Sequence, residues 1–219
     1  MQLLLVRHGE SVGNLTRQLQ GRDDALTARG RGQAGKVAAL LTERTDLRAI
    51  YTSPLARAAE TARIVGAATG ITPIAREGLA EINVGEAAGL TFDAWAARDP
   101  ALAERFRAEG LNFIWPGGES GLQLGARVAA EVDAIISAHR LEAGAVVVVS
   151  HGGALAWLID HLLREPRDQW PQHQFQNCSL TEITIDPADQ QAITFVCRNA
   201  VDHLTPEPDE EAALGQMPV

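Results

Sequence analysis

Two apolar runs, Leu3-Leu4-Leu5-Val6 and Ala145-Val146-Val147-Val148-Val149, end on almost the same residues, Arg7-His8-Gly9 and Ser150-His151-Gly152. Runs this short, without polar alternation, suit strands buried on both faces, the setting of a parallel sheet. In such sheets ligands bind beyond the carboxyl ends of the strands. Both histidines therefore belong at that edge, each followed by a small residue that lets a ligand approach the backbone. They lie 143 positions apart, so only a fold that returns the chain to one edge can use them together.

The segments between them alternate in type. Residues 27–43 read as a helix capped by Thr27, and 48–52 as a strand. Ser53-Pro54 reads as an N-cap followed by proline at the first helical position, opening a helix to about Ala67. A short strand is expected near 73–76, and helices over 121–139 and 154–163. Residues 178–185 and 191–197 resemble a closing hairpin. Residues 91–115, broken by Pro100 and Gly110, form a small helical insertion. The expected fold is α/β, a three-layer sandwich with a mostly parallel central sheet flanked by helices. It forms one catalytic domain over 1–204, followed by an acidic, proline-containing tail over 205–219 that is expected to be disordered.

Formal net charge is -9, which disfavours nucleic acid and anionic membranes as partners. A locally basic site can still bind an anion. Lys36 is the single lysine, so nearly all positive charge is arginine, a side chain suited to bidentate phosphate binding. Two cysteines and the lack of a signal peptide or a long apolar segment point to a cytoplasmic protein with free thiols. Gly30-x-Gly32-x-x-Gly35 spells a dinucleotide fingerprint, but it lies inside a helical stretch rather than after a strand, so no cofactor is expected. No metal-ligand spacing is present.

Four residues combine into a candidate site. His8 and His151 share the sheet edge, Arg7 adjoins His8, and Arg57 lies one turn into the helix opened by Ser53-Pro54. Two imidazoles and two guanidinium groups make a pocket for a dianion, of which phosphate is the obvious one. His139, His161, His173 and His203 have no such setting and read as ordinary satisfied or surface histidines.

The sequence from Leu5 to Ser11 (Leu-Val-Arg-His-Gly-Glu-Ser) closely resembles the signature of the histidine phosphatase superfamily, in the branch that includes cofactor-dependent phosphoglycerate mutase. Further blocks follow in family order: Asn14, Gln20-Gly21, Tyr51-Thr52-Ser53-Pro54-Leu55-x-Arg57, Leu79-x-Glu81, Gly117-Gly118-Glu119-Ser120, Ser150-His151-Gly152-Gly153 and Asn177-Cys178-Ser179. The resemblance implies that His8 is a nucleophile taking the phosphoryl group. Arg7, Arg57 and His151 would hold its oxygens with help from Asn14, and Gln20, Gly21 and Gly152 would border the phosphate. Glu81 would protonate the leaving oxygen. It implies a metal-independent phosphatase of small phosphate monoesters, with a mutase or phosphotransferase as the alternative and an inactive phospholigand-binding protein less favoured. A homodimer is left open. Two departures stand out. Ala87-Ala88-Gly89 replaces the family's frequent Trp-Glu-Gly. Ile82 and Phe92 stand where mutases carry basic residues for the substrate carboxylate, which suggests an apolar leaving-group pocket.

Overall fold

A computed structural model describes residues 1–140, 143–164, 172–186 and 192–205. The strands are β1 (Gln2–Arg7), β2 (Leu47–Thr52), β3 (Ile74–Ala75), β4 (Ala145–Ser150), β5 (Leu180–Ile185) and β6 (Ile193–Ala200). They form one mixed sheet in the order β3-β2-β4-β1-β5-β6. β1 pairs in parallel with β4, and β4 with β2. β5 runs antiparallel to β1 and to β6, closing the sheet with the expected hairpin. The acidic tail beyond Thr205 lies outside the described residues.

Alternate residues of the central strands feed opposite cores. Leu3, Leu5, Val146 and Val148 face α6 (Gly121–His139) and α7 (Gly152–Leu163). Leu4, Val6, Val147 and Val149 face α2 (Ala28–Thr42) and α3 (Ala56–Thr69). The apolar runs are thus covered on both sides, as continuous hydrophobic strands require. Caps set the helix starts: Thr27 Oγ1 accepts from Gly30 N–H, and Ser120 and Gln123 form a reciprocal capping box at α6.

The helix after β2 starts later than expected. Its N-cap is Leu55, not Ser53, and Arg57 is its second residue. Ser53 instead holds a turn ahead of the helix: its hydroxyl accepts from Leu55 N–H and pairs with His151 Nε2 at 2.7 Å. The glycine-rich stretch lies within α2, as expected. Of its glycines, Gly30 is the constrained one: a Cβ there would fall 2.0 Å from Glu10 O, and one on Gly9 would fall 2.3 Å from Gly30 O. The helix therefore packs backbone to backbone against the loop that leaves β1.

The insertion comprises α4 (Phe92–Arg98), α5 (Pro100–Glu109) and a short 3-10 turn, with α1 (Val12–Thr16) nearby in the first loop. Pro100 starts α5 rather than breaking a helix. The insertion has its own core, in which the Trp95, Phe106, Phe113 and Trp115 rings lie 4.7–6.1 Å apart. Among the described residues no helix is long and apolar enough to cross a membrane.

Candidate active site

Three neighbouring strands deliver the site. His8 follows β1 and donates its N–H to Ser150 O at 2.9 Å; Ser53 follows β2 and donates to Val149 O at 3.0 Å; His151 follows β4 and is the N-cap of α7. The two imidazoles end with their centroids 5.0 Å apart. Both are buried, as is Arg57.

The hydrogen bonds fix the tautomer of His8. His8 Nδ1 lies 2.7 Å from Gly9 O, an acceptor, so its proton sits on Nδ1 and the Nε2 lone pair is left available. Arg57 Nε–H points at that Nε2 from 3.3 Å. Burial, with the charges of Arg57 and Arg7, holds the His8 pKa well below its ordinary 6.5. His8 is therefore a neutral imidazole whose Nε2 lone pair accepts from Arg57 Nε–H at 3.3 Å; once that bond is given up, it is the reactive form of a nitrogen nucleophile. His151 is depressed in the same direction by burial, His8 and the two arginines.

Arg7 is tied by one bond and Arg57 by two, and each keeps a donor in hand. Arg7 Nη1 donates to Phe175 O at 2.7 Å, and Arg57 Nη1 to Gly21 O at 2.8 Å. Arg7 Nε, Arg57 Nη2 and His151 Nδ1 are buried without a hydrogen-bond partner among the described residues. A buried unpaired donor on a charged group is costly, and an anion's oxygens would satisfy it. Burial lowers the pKa of both guanidinium groups, yet arginine keeps its charge in proteins. The arrangement can thus hold an oxyanion against a nucleophilic nitrogen.

Glu81 occupies the opposite side. Its Oε2 accepts from Gly153 N–H at the start of α7 and its Oε1 from Ile82 N–H, both at 2.9 Å. A Cβ on Gly153 would lie 2.6 Å from Oε1, so only glycine leaves the carboxylate where it is. Two chambers meet at this side chain. The larger, about 720 Å³, also touches Asn14, Gln20 and Gly153; the smaller, about 400 Å³, touches Gln20, Gly21 and Arg127.

The other expected residues play supporting parts. Asn14 Oδ1 accepts from Ser11 N–H at 3.2 Å and from Asn177 Nδ2 at 3.1 Å, while Asn177 also donates to His8 O. Gln20 Nε2 donates to Ser11 Oγ at 2.9 Å. Gly152 passes close to Arg7, where a Cβ would sit 3.7 Å from Nε. Ile82 borders the larger chamber, but Phe92 packs inside the insertion core against Trp95 and Phe106 and does not line it.

Four participants were not evident from sequence. Ser53, Thr61, Gly153 and Arg127 acquire their roles only through tertiary contacts. Thr61 Oγ1 accepts from Gly9 N–H and donates to Arg57 O, linking the segments that carry His8 and Arg57. Arg127 donates to the carbonyls of Gly78, Ala80 and Glu81 and to both carboxylate oxygens of Glu119. It thereby pins the segment that carries Glu81. Burial of Glu119 works against its charge, but the Arg127 and Asn83 bonds prevail and hold its pKa down. The four remaining histidines are satisfied elsewhere: His139 by Tyr51, His161 by Asp133, His173 by Asp160 and His203 by Cys178 O. Both cysteines are free thiols, and burial pushes Cys178 up to about 12, an inert thiol beside the site.

Known proteins resemble this chain along most of its length. Residues 3–198 match the model of the histidine phosphatase superfamily, branch 1. A curated relative from Yersinia enterocolitica, named "Probable phosphoglycerate mutase GpmB", is 33% identical over 92% of this chain and 93% of its own. The mycobacterial glucosyl-3-phosphoglycerate phosphatase, solved with VO3, superposes with a TM-score of 0.78 at 30% identity, over 91% of this chain and 99% of that one. The phosphoserine phosphatase of Entamoeba histolytica, solved with 3-phosphoglyceric acid, gives 0.77 at 26% identity, over 93% and 99%. With its paired histidines, its arginines and Glu81 on one sheet edge, the chain belongs to the histidine phosphatase superfamily, branch 1.

Proposed function

We propose that this enzyme is a metal-independent phosphatase that hydrolyses small phosphate monoesters through a phosphohistidine. The observation that carries the reading is the Nδ1–H···O bond from His8 to Gly9, which turns an uncharged Nε2 lone pair toward Arg57 Nε–H, with Arg7 Nε and Arg57 Nη2 buried and without partners among the described residues. His8 Nε2 attacks phosphorus, and the bond from phosphorus to the ester oxygen breaks. Glu81, protonated at that stage, gives its proton to the departing alkoxide, which leaves as the alcohol. A water then attacks phosphorus, passes one proton to the Glu81 carboxylate, and the P–N bond breaks to release inorganic phosphate and neutral His8. Arg7 and Arg57 neutralise the phosphoryl oxygens throughout, with a hydrogen bond from His151, the electrostatic role that a metal fills in other phosphoryl-transfer enzymes. Asn14, Gln20, Gly21 and Gly152 border the phosphate.

The name of the Yersinia relative favours a second reading, a mutase built on the same phosphohistidine. A mutase acting on a phosphoglycerate has to hold a carboxylate next to the transferred group. Among the described residues the larger chamber beside Glu81 carries no basic side chain, which supports hydrolysis. Rapid quenching with labelled substrate should give an acid-labile, base-stable phosphoenzyme that His8→Ala cannot form; acid-stable label would overturn the nucleophile. Interconversion of 2- and 3-phosphoglycerate in the presence of 2,3-bisphosphoglycerate, if much faster than phosphate release from simple esters, would establish the mutase instead.

A further inference from the structure

The larger chamber next to Glu81 is large for a simple leaving group. Its volume of about 720 Å³ falls in the range of sites for ligands of drug size. Phe106, Phe113 and Trp115 form one wall, with ring centroids 5.3–5.5 Å apart, so the wall is a packed and rigid unit. Leu111 and Trp157 complete it toward the sheet. Glu81 is the single ionisable side chain that touches the chamber among the described residues. The smaller chamber differs: besides Glu81 its charged residues are Arg22, Glu77, Glu119 and Arg127, and these four pair with one another, Arg22 with Glu77 and Arg127 with Glu119.

We infer that the substrate is a phosphate monoester of a bulky, mainly apolar alcohol, whose body fills the aromatic-walled chamber while its ester oxygen meets Glu81. The inference rests on the phosphatase reading above. A leaving group whose carboxylate or second phosphate entered the larger chamber would meet Glu81 and no cation among the described lining residues, so such esters are disfavoured there by like charge and by desolvation. An apolar body instead gains with each buried methylene. Gln18, Gln20 and Asn14, at the rim with Glu81, leave room for hydroxyl or amide groups on that body without requiring charge.

The test uses the whole protein and two matched series. In the first, phosphate release is measured for methyl, butyl and hexyl phosphate, whose alkoxides leave with similar difficulty, together with 3-phosphoglycerate. Each methylene should raise kcat/KM about two- to fourfold, so hexyl should exceed methyl by roughly 30- to 1000-fold, and 3-phosphoglycerate should fall below butyl phosphate. In Leu111→Asp the hexyl-to-methyl ratio should collapse toward unity; a ratio within one variant is insensitive to the fraction folded. The second series measures binding of methyl-, butyl- and hexylphosphonate by calorimetry, which needs no turnover. Hydrolysis with a flat chain-length dependence would leave the phosphatase standing and overturn the substrate class, giving the chamber to some protein contact instead. A steep phosphonate series without hydrolysis of any ester would keep the apolar site and overturn the phosphatase.

Discussion

Alanine at position 153 perturbs Glu81 and little else. Gly153 is the second residue of α7, its φ is not in the left-handed region, and the nearest obstacle to a Cβ is Glu81 Oε1 at 2.6 Å. An ordinary contact begins near 3.4 Å, so the carboxylate must retreat by 3.4 − 2.6, or 0.8 Å. The obstacle is the end of a flexible side chain, and alanine is the better helix former by up to about 1 kcal/mol. Against that gain stands a weakened bond from Gly153 N–H to Glu81 Oε2, about 1.5–3 kcal/mol when fully lost. The melting temperature should therefore move by only a few degrees. Catalysis should not be spared: a displacement approaching 1 Å in a catalytic group costs about 10²-fold, and removing a general acid costs about 10²–10⁴. Because nitrophenolate leaves without a proton, the assay compares kcat/KM for butyl phosphate with that for p-nitrophenyl phosphate. The ratio should fall at least about 10²-fold in Gly153→Ala, while p-nitrophenyl phosphate changes by less than about tenfold. Equal losses on the two substrates, or none on either, would refute the reasoning that Glu81 acts from this position as the proton donor.

Three further outcomes follow from the same geometry. Arg127→Met should lower stability by about 2–3 kcal/mol, since Glu119 and three carbonyls lose their donor, and should depress butyl phosphate turnover more than that of p-nitrophenyl phosphate; an unchanged ratio would confine Arg127 to folding. His8 and His151 both have folded-state pKa values well below 6.5. The unfolded chain takes up protons there that the folded chain refuses, so their contribution is complete above pH 6.5 and is lost as pH falls below it, by up to about 1.4 kcal/mol per pH unit for each. Urea unfolding at pH 7.5, 6.5 and 5.5 would show this as a falling free energy, and a flat or rising profile would contradict it. Activity should persist in excess EDTA, and a complete, metal-reversible loss would show that the arginines do not do a metal's work.

The parts of the fold readable from sequence are those where one local signal agrees with its surroundings. The apolar runs that became β1 and β4 are buried on both faces, so local pattern and tertiary setting coincide. The matching histidines at their ends were legible for the same reason. The start of α3 was not, because Ser53 offers two hydrogen bonds and the tertiary partner, His151, lies 98 residues away. Arg127 was equally hidden: in sequence it is one arginine on an amphipathic helix, and its carbonyl partners lie 46–49 residues earlier. Phe92 was placed in the leaving-group pocket, but it supports that wall from behind rather than lining it. A compositional clue to the wall was present. Five of the chain's ten aromatic residues fall between Phe92 and Trp115, a stretch otherwise read as a surface insertion.

That concentration bears on how such an enzyme can change. The insertion packs around its own buried cluster, separate from the two cores that clamp the sheet. His8, the arginines and His151 are anchored to β1, β4 and α3, whereas most of the aromatic wall hangs on residues 106–115. Selection acting on those ten positions can recut the shape of the chamber without disturbing the cradle of histidines and arginines. Reactivity and taste are thus inherited on different stretches of the chain, and grafting the loop of one relative onto the scaffold of another is a direct way to exchange one while keeping the other.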